Sequence, residues 1–432
     1  MKDRVAAYLD AYADREAIAL VDAVAGHGPW SAAVVVPARD EAAGFVRGLA
    51  PGLRERGALT IVVINEDDAD QPAVLQANRV LDRALRKLGP TVELGARTVL
   101  IRSESAGDLL VLARTLPPKQ GVGRARRIGL DLALGLTHGG AVTSRWLHTT
   151  DADVTLPSDY LTAPIPDGAV ACVRPFFHVP AGDARLDRAT ALYEITLRYY
   201  VAGLAAAHSP WAMHTIGSCL TFDAEAYAAV RGLPVRPAAE DFYLLAKLAK
   251  LGLVVRGGGT PLAIASRWSA RVPFGTGPGT AAIARTLDDG ATPTVYAPAS
   301  FGALHEVVEA LTRWSAGGQG SPREAVGRDV TDTVAAAAFD DLSPDKLEAA
   351  MRGATTSGQR LRRVHEWLDA FRTLKLVHRL RDRGHAEVAW PEAVAAVTGR
   401  AGSDDVLAVR AALASAEPDL ADAGLAAGRR DQ

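Results

Sequence analysis

The hydrophobic positions of this chain change period several times, and each change marks an element. Val5, Leu9, Tyr12, Ala13, Ala17, Leu20 and Val21 return at roughly helical spacing until Gly26-His27-Gly28-Pro29 breaks the pattern, which predicts a helical lead-in over residues 1–30. Three short β-rich runs follow, Ala33 to Pro37, Leu59 to Ile64 and Arg97 to Ile101. Helical patterns separate them, first around Glu41 to Arg56 and then through Val74, Leu75, Val80, Leu81 and Leu85. Strands alternating with helices predict βαβ units and a mostly parallel, twisted sheet flanked by helices. Ile128, Leu132 and Leu136 form a further amphipathic pattern after Gly121, leading to the strand-like Arg145 to Thr150.

Leu186 to Ala207 reads as a long helix, Ile216 to Phe222 as an apolar run, and Ala224 to Val230 and Asp241 to Leu251 as helices. Leu253 to Arg256 and Leu262 to Ala265 read as the closing strands. From about 299 the chain turns to long helical stretches, including Leu361 to Arg383 with Val364, Trp367, Leu368, Phe371, Leu374, Val377 and Leu380 at helical spacing. The expected division is a lead-in over 1–30, an α/β domain over 31–298 and a helical C-terminal domain over 299–432, whose polar tail after about 416 is compatible with disorder.

Composition narrows the function classes. Lys plus Arg, 48, nearly balance Asp plus Glu, 50, so the net charge of −2 offers no bulk attraction for nucleic acid or an anionic membrane. Residues 1–30 are too charged for a signal-peptide core, and no long uncharged apolar run follows, so a membrane span is not expected, while peripheral contact stays open. Cys172 and Cys219 have no metal-ligand spacing and are too few for a disulfide framework, which favours the cytoplasm. His148, His178, His208 and His214 are scattered and suggest no metal set.

The chemistry concentrates in Trp146-Leu147-His148-Thr149-Thr150-Asp151-Ala152-Asp153, an apolar strand ending in two acids. Ligands of open α/β sheets bind at such carboxyl ends. Hard oxygen ligands suit Mg²⁺ or Mn²⁺, which bridge diphosphate oxygens and neutralise charge on a departing nucleotide. By itself the pair also fits an ordinary acidic loop end. Gly121-Val122-Gly123 lacks the third glycine of a dinucleotide fingerprint and follows Pro117-Pro118-Lys119-Gln120 where a strand should be.

Four segments taken in order resemble the signature of family 2 glycosyltransferases: Val34 to Ala42, Ile61 to Asp68, Gly121 to Gly129, and Asp151-Ala152-Asp153. His214 to Phe222, with Gly217 and Ser218, is similar to that family's small-residue strand beside the donor sugar, and Ala239-Glu240-Asp241-Phe242 to its Glu-Asp motif at a helix start. The resemblance covers about residues 30 to 280. It implies a GT-A fold and inverting transfer of a sugar from a UDP- or GDP-sugar to a hydroxyl acceptor. It also implies Mg²⁺ or Mn²⁺ on Asp153 and Asp151, Asp241 as the base, and Glu240 on the donor side. Pro37, Arg39 and Glu41 would line the first nucleotide loop, and Asn65 and Asp67 the second. Asn65 stands where an Asp is more usual, which leaves uracil or guanine open.

Arg124 and Arg126 would lie near the nucleotide, in a loop entering a helix, or else on a solvated basic helix face. Arg267 and Arg271 sit where such enzymes carry a flexible loop over the diphosphate, and arginine geometry suits phosphate; the alternative is an interdomain linker. Asp241 also fits an acid stabilised by a helix N-terminus. Tyr193, Glu194, Arg198, Tyr199, Tyr200 and Trp211 are either sugar-binding groups or, more often for such a helix, core. Two other functions stay in play: a sugar nucleotidyltransferase, disfavoured because Ala38-Arg39-Asp40-Glu41 replaces its Gly-rich loop, and a degenerate transferase that only binds. The C-terminal helices are candidates for homo-oligomerisation.

Overall fold

The computed structural model describes residues 3–67, 69–269, 271, 275–398 and 405–417. They form two compact units, one of residues 1–181 and 215–275, the other of 182–214 and 276–432. This partition differs from the expected boundaries: the lead-in belongs to the first unit, and 182–214 belongs with the later residues. The polar tail after 417 lies outside the described residues.

The first unit is built on nine strands: β1 (Ala33–Ala38), β2 (Leu59–Asp67), β3 (Thr91–Glu93), β4 (Thr98–Ser103), β5 (Gly107–Leu116), β6 (Trp146–Thr149), β8 (Ala169–Val173), β10 (Leu220–Asp223) and β11 (Leu253–Arg256). Their order is β11-β8-β10-β6-β1-β2-β5-β4-β3. Three short strands, β7 (Val154–Thr155), β9 (Phe176–Val179) and β12 (Leu262–Ala265), make a second sheet. Helices α1 (Arg4–Ala11), α2 (Arg15–Ala25), α3 (Phe45–Leu53), α4 (Pro72–Arg86), α5 (Gly121–His138), α7 (Ala224–Ala229) and α8 (Glu240–Leu248) complete the unit. The central strands are continuous apolar runs because both faces are covered: Val34, Val35, Val36, Ile61, Val62, Val63, Leu110 and Val111 are fully buried.

The sheet is mixed, not mostly parallel, with four parallel and four antiparallel neighbour pairs. One cause is the segment between Ile101 and Gly121, which holds β5, an element not expected from the sequence. Only Glu104-Ser105-Ala106 separate β4 from β5, and Gly107 takes φ +78°, so the chain reverses in a hairpin. The strand that pairs parallel with β2 is therefore β5, over Leu59 to Asp67, and the expected third strand lies antiparallel beyond it. The other departure is β10, antiparallel to both β6 and β8.

The second unit consists of α6 (Ala184–Ala206), α9 (Thr276–Asp288), α10 (Pro298–Ser315), α11 (Pro322–Asp329), α12 (Thr333–Asp340), α13 (Asp345–Ala350), α14 (Ser357–Trp367), α15 (Ala370–Arg383), α16 (Trp390–Thr398) and α17 (Val406–Ser415), with one two-stranded pair, β13 (Thr294–Val295) and β14 (Val388–Ala389). Its core joins Leu192, Ile195 and Tyr199 of α6 to Phe301, Leu304 and Leu311 of α10 and Leu376 and Leu380 of α15. Tyr199 donates to the Tyr296 carbonyl at 2.7 Å and Trp211 Nε1 to the Leu368 carbonyl at 2.6 Å, so these aromatics are core groups. The helical run 361–383 is two helices, because Asp369 caps a new one by accepting from Arg372 N at 3.0 Å. Among the described residues no helix is long and apolar enough to cross a membrane.

Candidate functional site

The carboxyl ends of β1, β2 and β6, parallel to one another through β1, carry Pro37, Arg39, Glu41, Asn65, Asp67, Asp151 and Asp153. Two longer-range features bring the acids together. Helix α5 starts at Gly121 itself, so Gly121 to Arg127 is not a loop but the first turns of the helix. A Cβ at Gly123 would collide with the backbone of Arg236, so this helix start lies against the segment leading to Glu240. That segment ends in Ala239, held left-handed at φ +59° and ψ +20°, a conformation that costs a non-glycine residue about 1–2 kcal/mol. From this corner α8 begins with Glu240 and Asp241.

Arg126 is the hub. Its Nη1 pairs with Glu240 Oε1 and its Nη2 with Asp151 Oδ1, and both Arg126 and Glu240 are buried. Gly217 makes room for it, since a Cβ there would overlap the guanidinium. Gly217 and Ser218 lie in a 3₁₀ turn before β10 and not in the strand that was expected. Burial of Arg126 opposes its charge, but Asp151, Glu240 and Asp241 outweigh that and raise its pKa. Asp241 is pushed up from the usual carboxylate range by burial and by Glu240, with Arg126 opposing.

A second network closes the other side. Arg267 Nη2 lies 2.7 Å from Asp153 Oδ2 while its Nη1 donates to Glu41 Oε1 at 2.7 Å. Arg271 pairs with the same Glu41 oxygen and donates to the Asp40 carbonyl at 2.7 Å. Residues 270 and 272–274 of this loop are outside the described residues. Burial raises the Asp153 pKa, and Asp151 and Glu41 add to the shift against the pull of Arg267. Thr150 Oγ1, one residue before Asp151, is buried without a hydrogen-bond partner.

Five carboxylates (Glu41, Asp151, Asp153, Glu240 and Asp241) thus face three guanidiniums (Arg126, Arg267 and Arg271) in one linked group. Carboxylate oxygens are the kind of donor that hard divalent cations such as Mg²⁺ or Mn²⁺ take. Arg124 does not join the group: it pairs with Asp14 at 3.1 Å and Gln120 at 3.1 Å. The reason is the helical pitch, which turns residues 124 and 126 about 200° apart on α5.

At the end of β1, Pro37 is buried in register with Val63, and Arg39 pairs with Asp70 through Nε at 3.1 Å. Asn65 is buried, and its carbonyl accepts from Asn78 Nδ2 at 3.1 Å. Asp67 caps its own turn by accepting from Ala69 N at 2.8 Å. Sequence reading missed Asp70 and Asn78, which hold these loops: Asn78 Oδ1 also accepts from Asp40 N at 2.9 Å, and Asp70 Oδ2 from Asp67 N at 2.9 Å. A polar Asn on the otherwise apolar face of α4 was the available signal. Against known proteins, the sequence matches no family model and no curated protein.

Proposed function

We propose that this chain is a metal-dependent glycosyltransferase with a GT-A type domain, transferring a sugar with inversion from a UDP- or GDP-sugar to a hydroxyl acceptor in the cytoplasm. The observation that carries the reading is the linked group of acids, in which Asp151, two residues before Asp153 at the end of β6, is tied through Arg126 to Glu240, the neighbour of Asp241 at the start of α8. Asp153 and Asp151 would hold Mg²⁺ or Mn²⁺, which supplies charge neutralisation for the diphosphate leaving group. Arg126 fixes Asp151 and Glu240 in place. Asp241 takes the proton from the acceptor hydroxyl as that oxygen attacks the anomeric carbon, and the nucleoside diphosphate leaves from the opposite face. Arg267 and Arg271, oriented by Glu41, supply guanidinium groups for phosphate oxygens.

Calorimetric titration of UDP and GDP, with and without Mn²⁺, tests the donor site. Binding of one nucleotide that requires Mn²⁺ and weakens at least about tenfold in Asp153→Ala is expected; binding of neither sinks the proposal. Asp241→Asn should retain nucleotide binding and lose transfer by about 10²–10⁴-fold. Full activity in that variant would remove Asp241 from its role.

A further inference from the structure

A second group of metal-ligating side chains lies in the helical unit, and the reading of the donor site does not use it. His305 and Glu309 stand four residues apart on α10, so both project from one face of the helix. His208 reaches the same point from the end of α6. One ligand atom from each of His208, His305 and Glu309 lies within 4.8 Å of the other two. His208 Nδ1 is already 3.1 Å from Glu309 Oε1, and the two imidazoles meet edge to face with centroids 4.7 Å apart.

Three features distinguish this arrangement from a surface ion pair. His208 holds φ +54°, a left-handed conformation uncommon outside glycine, which turns its ring out of the helical path just after α6 ends. His305 Nδ1 is buried and makes no hydrogen bond, so that ring is not committed to the protein. The neighbouring Glu306, by contrast, is spent: it accepts from Thr331 N at 2.6 Å, from Thr331 Oγ1 at 3.0 Å and from Asp332 N at 3.3 Å. In addition, His208 lies two residues beyond the C-terminal end of the 23-residue α6, and the negative end of a helix favours a cation.

We propose that His208, His305 and Glu309 form a binding site for a borderline divalent cation of the Zn²⁺ class, with water in the fourth position. Two imidazole nitrogens and one carboxylate suit Zn²⁺ and are a poor set for the hard cations expected on Asp151 and Asp153. Tetrahedral bonds of about 2.0–2.1 Å require ligand atoms roughly 3.3 Å apart, a spacing the His208–Glu309 edge already meets and side-chain rotation of His305 supplies. The bound ion links the end of α6 to α10.

The test is titration of the untagged full-length chain with Zn²⁺, read by calorimetry and by thermal unfolding, beside His208→Ala, His305→Ala and Asp153→Ala. One saturable Zn²⁺ site that raises the unfolding temperature, weakened at least about tenfold by either histidine change and unaffected by Asp153→Ala, is expected. Because His208 is exposed, its truncation leaves the core intact. Absence of saturable binding by the wild-type chain, or binding by both histidine variants as tight as that of the wild type, overturns the site. Loss of the Zn²⁺ signal in Asp153→Ala alone would instead assign the ion to the donor group.

Discussion

At the scale of single residues, Arg126 is where the candidate site and the stability of the first unit meet. Its guanidinium is buried between Glu240 and Asp151, and removing one partner of such a group strands the other's charge in a medium that solvates it poorly. Arg126→Met should therefore destabilise the chain by about 3–5 kcal/mol. Glu240→Gln in the same chain should restore part of that loss, because it removes the stranded charge. Urea denaturation of the two single variants and the double variant measures the coupling; strictly additive effects would mean that the pair does not interact in solution. Asp151, Asp153 and Asp241 stood out in the sequence because acids at the end of an apolar strand or at a helix start are conspicuous. Arg126 could be named only as one of two arginines near that end, since nothing local marks a side chain whose partners lie 25 and 114 residues away, while the one local signal for Asn78 was its polar side chain on the apolar face of α4.

At the scale of elements, the approach of α5 to the sheet depends on Gly129, where a Cβ would overlap Val35 of β1. Gly129→Ala should cost about 1–3 kcal/mol through overpacking. Combining it with Val35→Ala should give a chain closer in stability to Val35→Ala alone than to the sum of the two changes, as read from denaturation midpoints. A cost equal to that sum would show that the helix and strand do not meet there. Several elements were legible: β1, β2, β6, α4 and α6 lie close to their expected positions, β1 and β2 because their apolar runs are rich in β-branched Val and Ile. Strand β5 was hidden because Leu109 to Ala113 is a short continuous apolar run with no alternation, which fits a buried strand and a buried helix equally well. The break between α14 and α15 was hidden because the apolar spacing runs through it, while the stop is made by one capping carboxylate, Asp369.

At the scale of the whole molecule, buried neutral histidines make stability depend on pH. Burial drives the pKa of His148 down to about 3, with Arg174 adding to the shift, and burial takes His365 down to about 4. Between about 6.5 and these values the unfolded chain binds protons that the folded chain refuses, so stability is present above about pH 6.5 and is lost as pH falls below it. The slope is at most about 1.4 kcal/mol per pH unit for each histidine. Asp153 and Asp241, with raised pKa values, act in the opposite direction, so the contribution of His148 is isolated by comparison with His148→Asn, which keeps a polar group beside Thr221. Urea midpoints at pH 7.5, 6.0 and 5.0 should fall more steeply for the wild type than for the variant; parallel profiles would contradict the assignment. The sequence by itself determined the alternation of strands and helices, the acids at the end of β6 and the start of α8, and the apolar faces, because each is written in neighbouring residues and in the period of their side chains. Only the tertiary structure decided the mixed sheet, the membership of 182–214 in the helical unit, the choice of Arg126 over Arg124, and the meeting of His208 with His305 and Glu309, because each depends on chain reversals and on contacts between residues far apart in sequence.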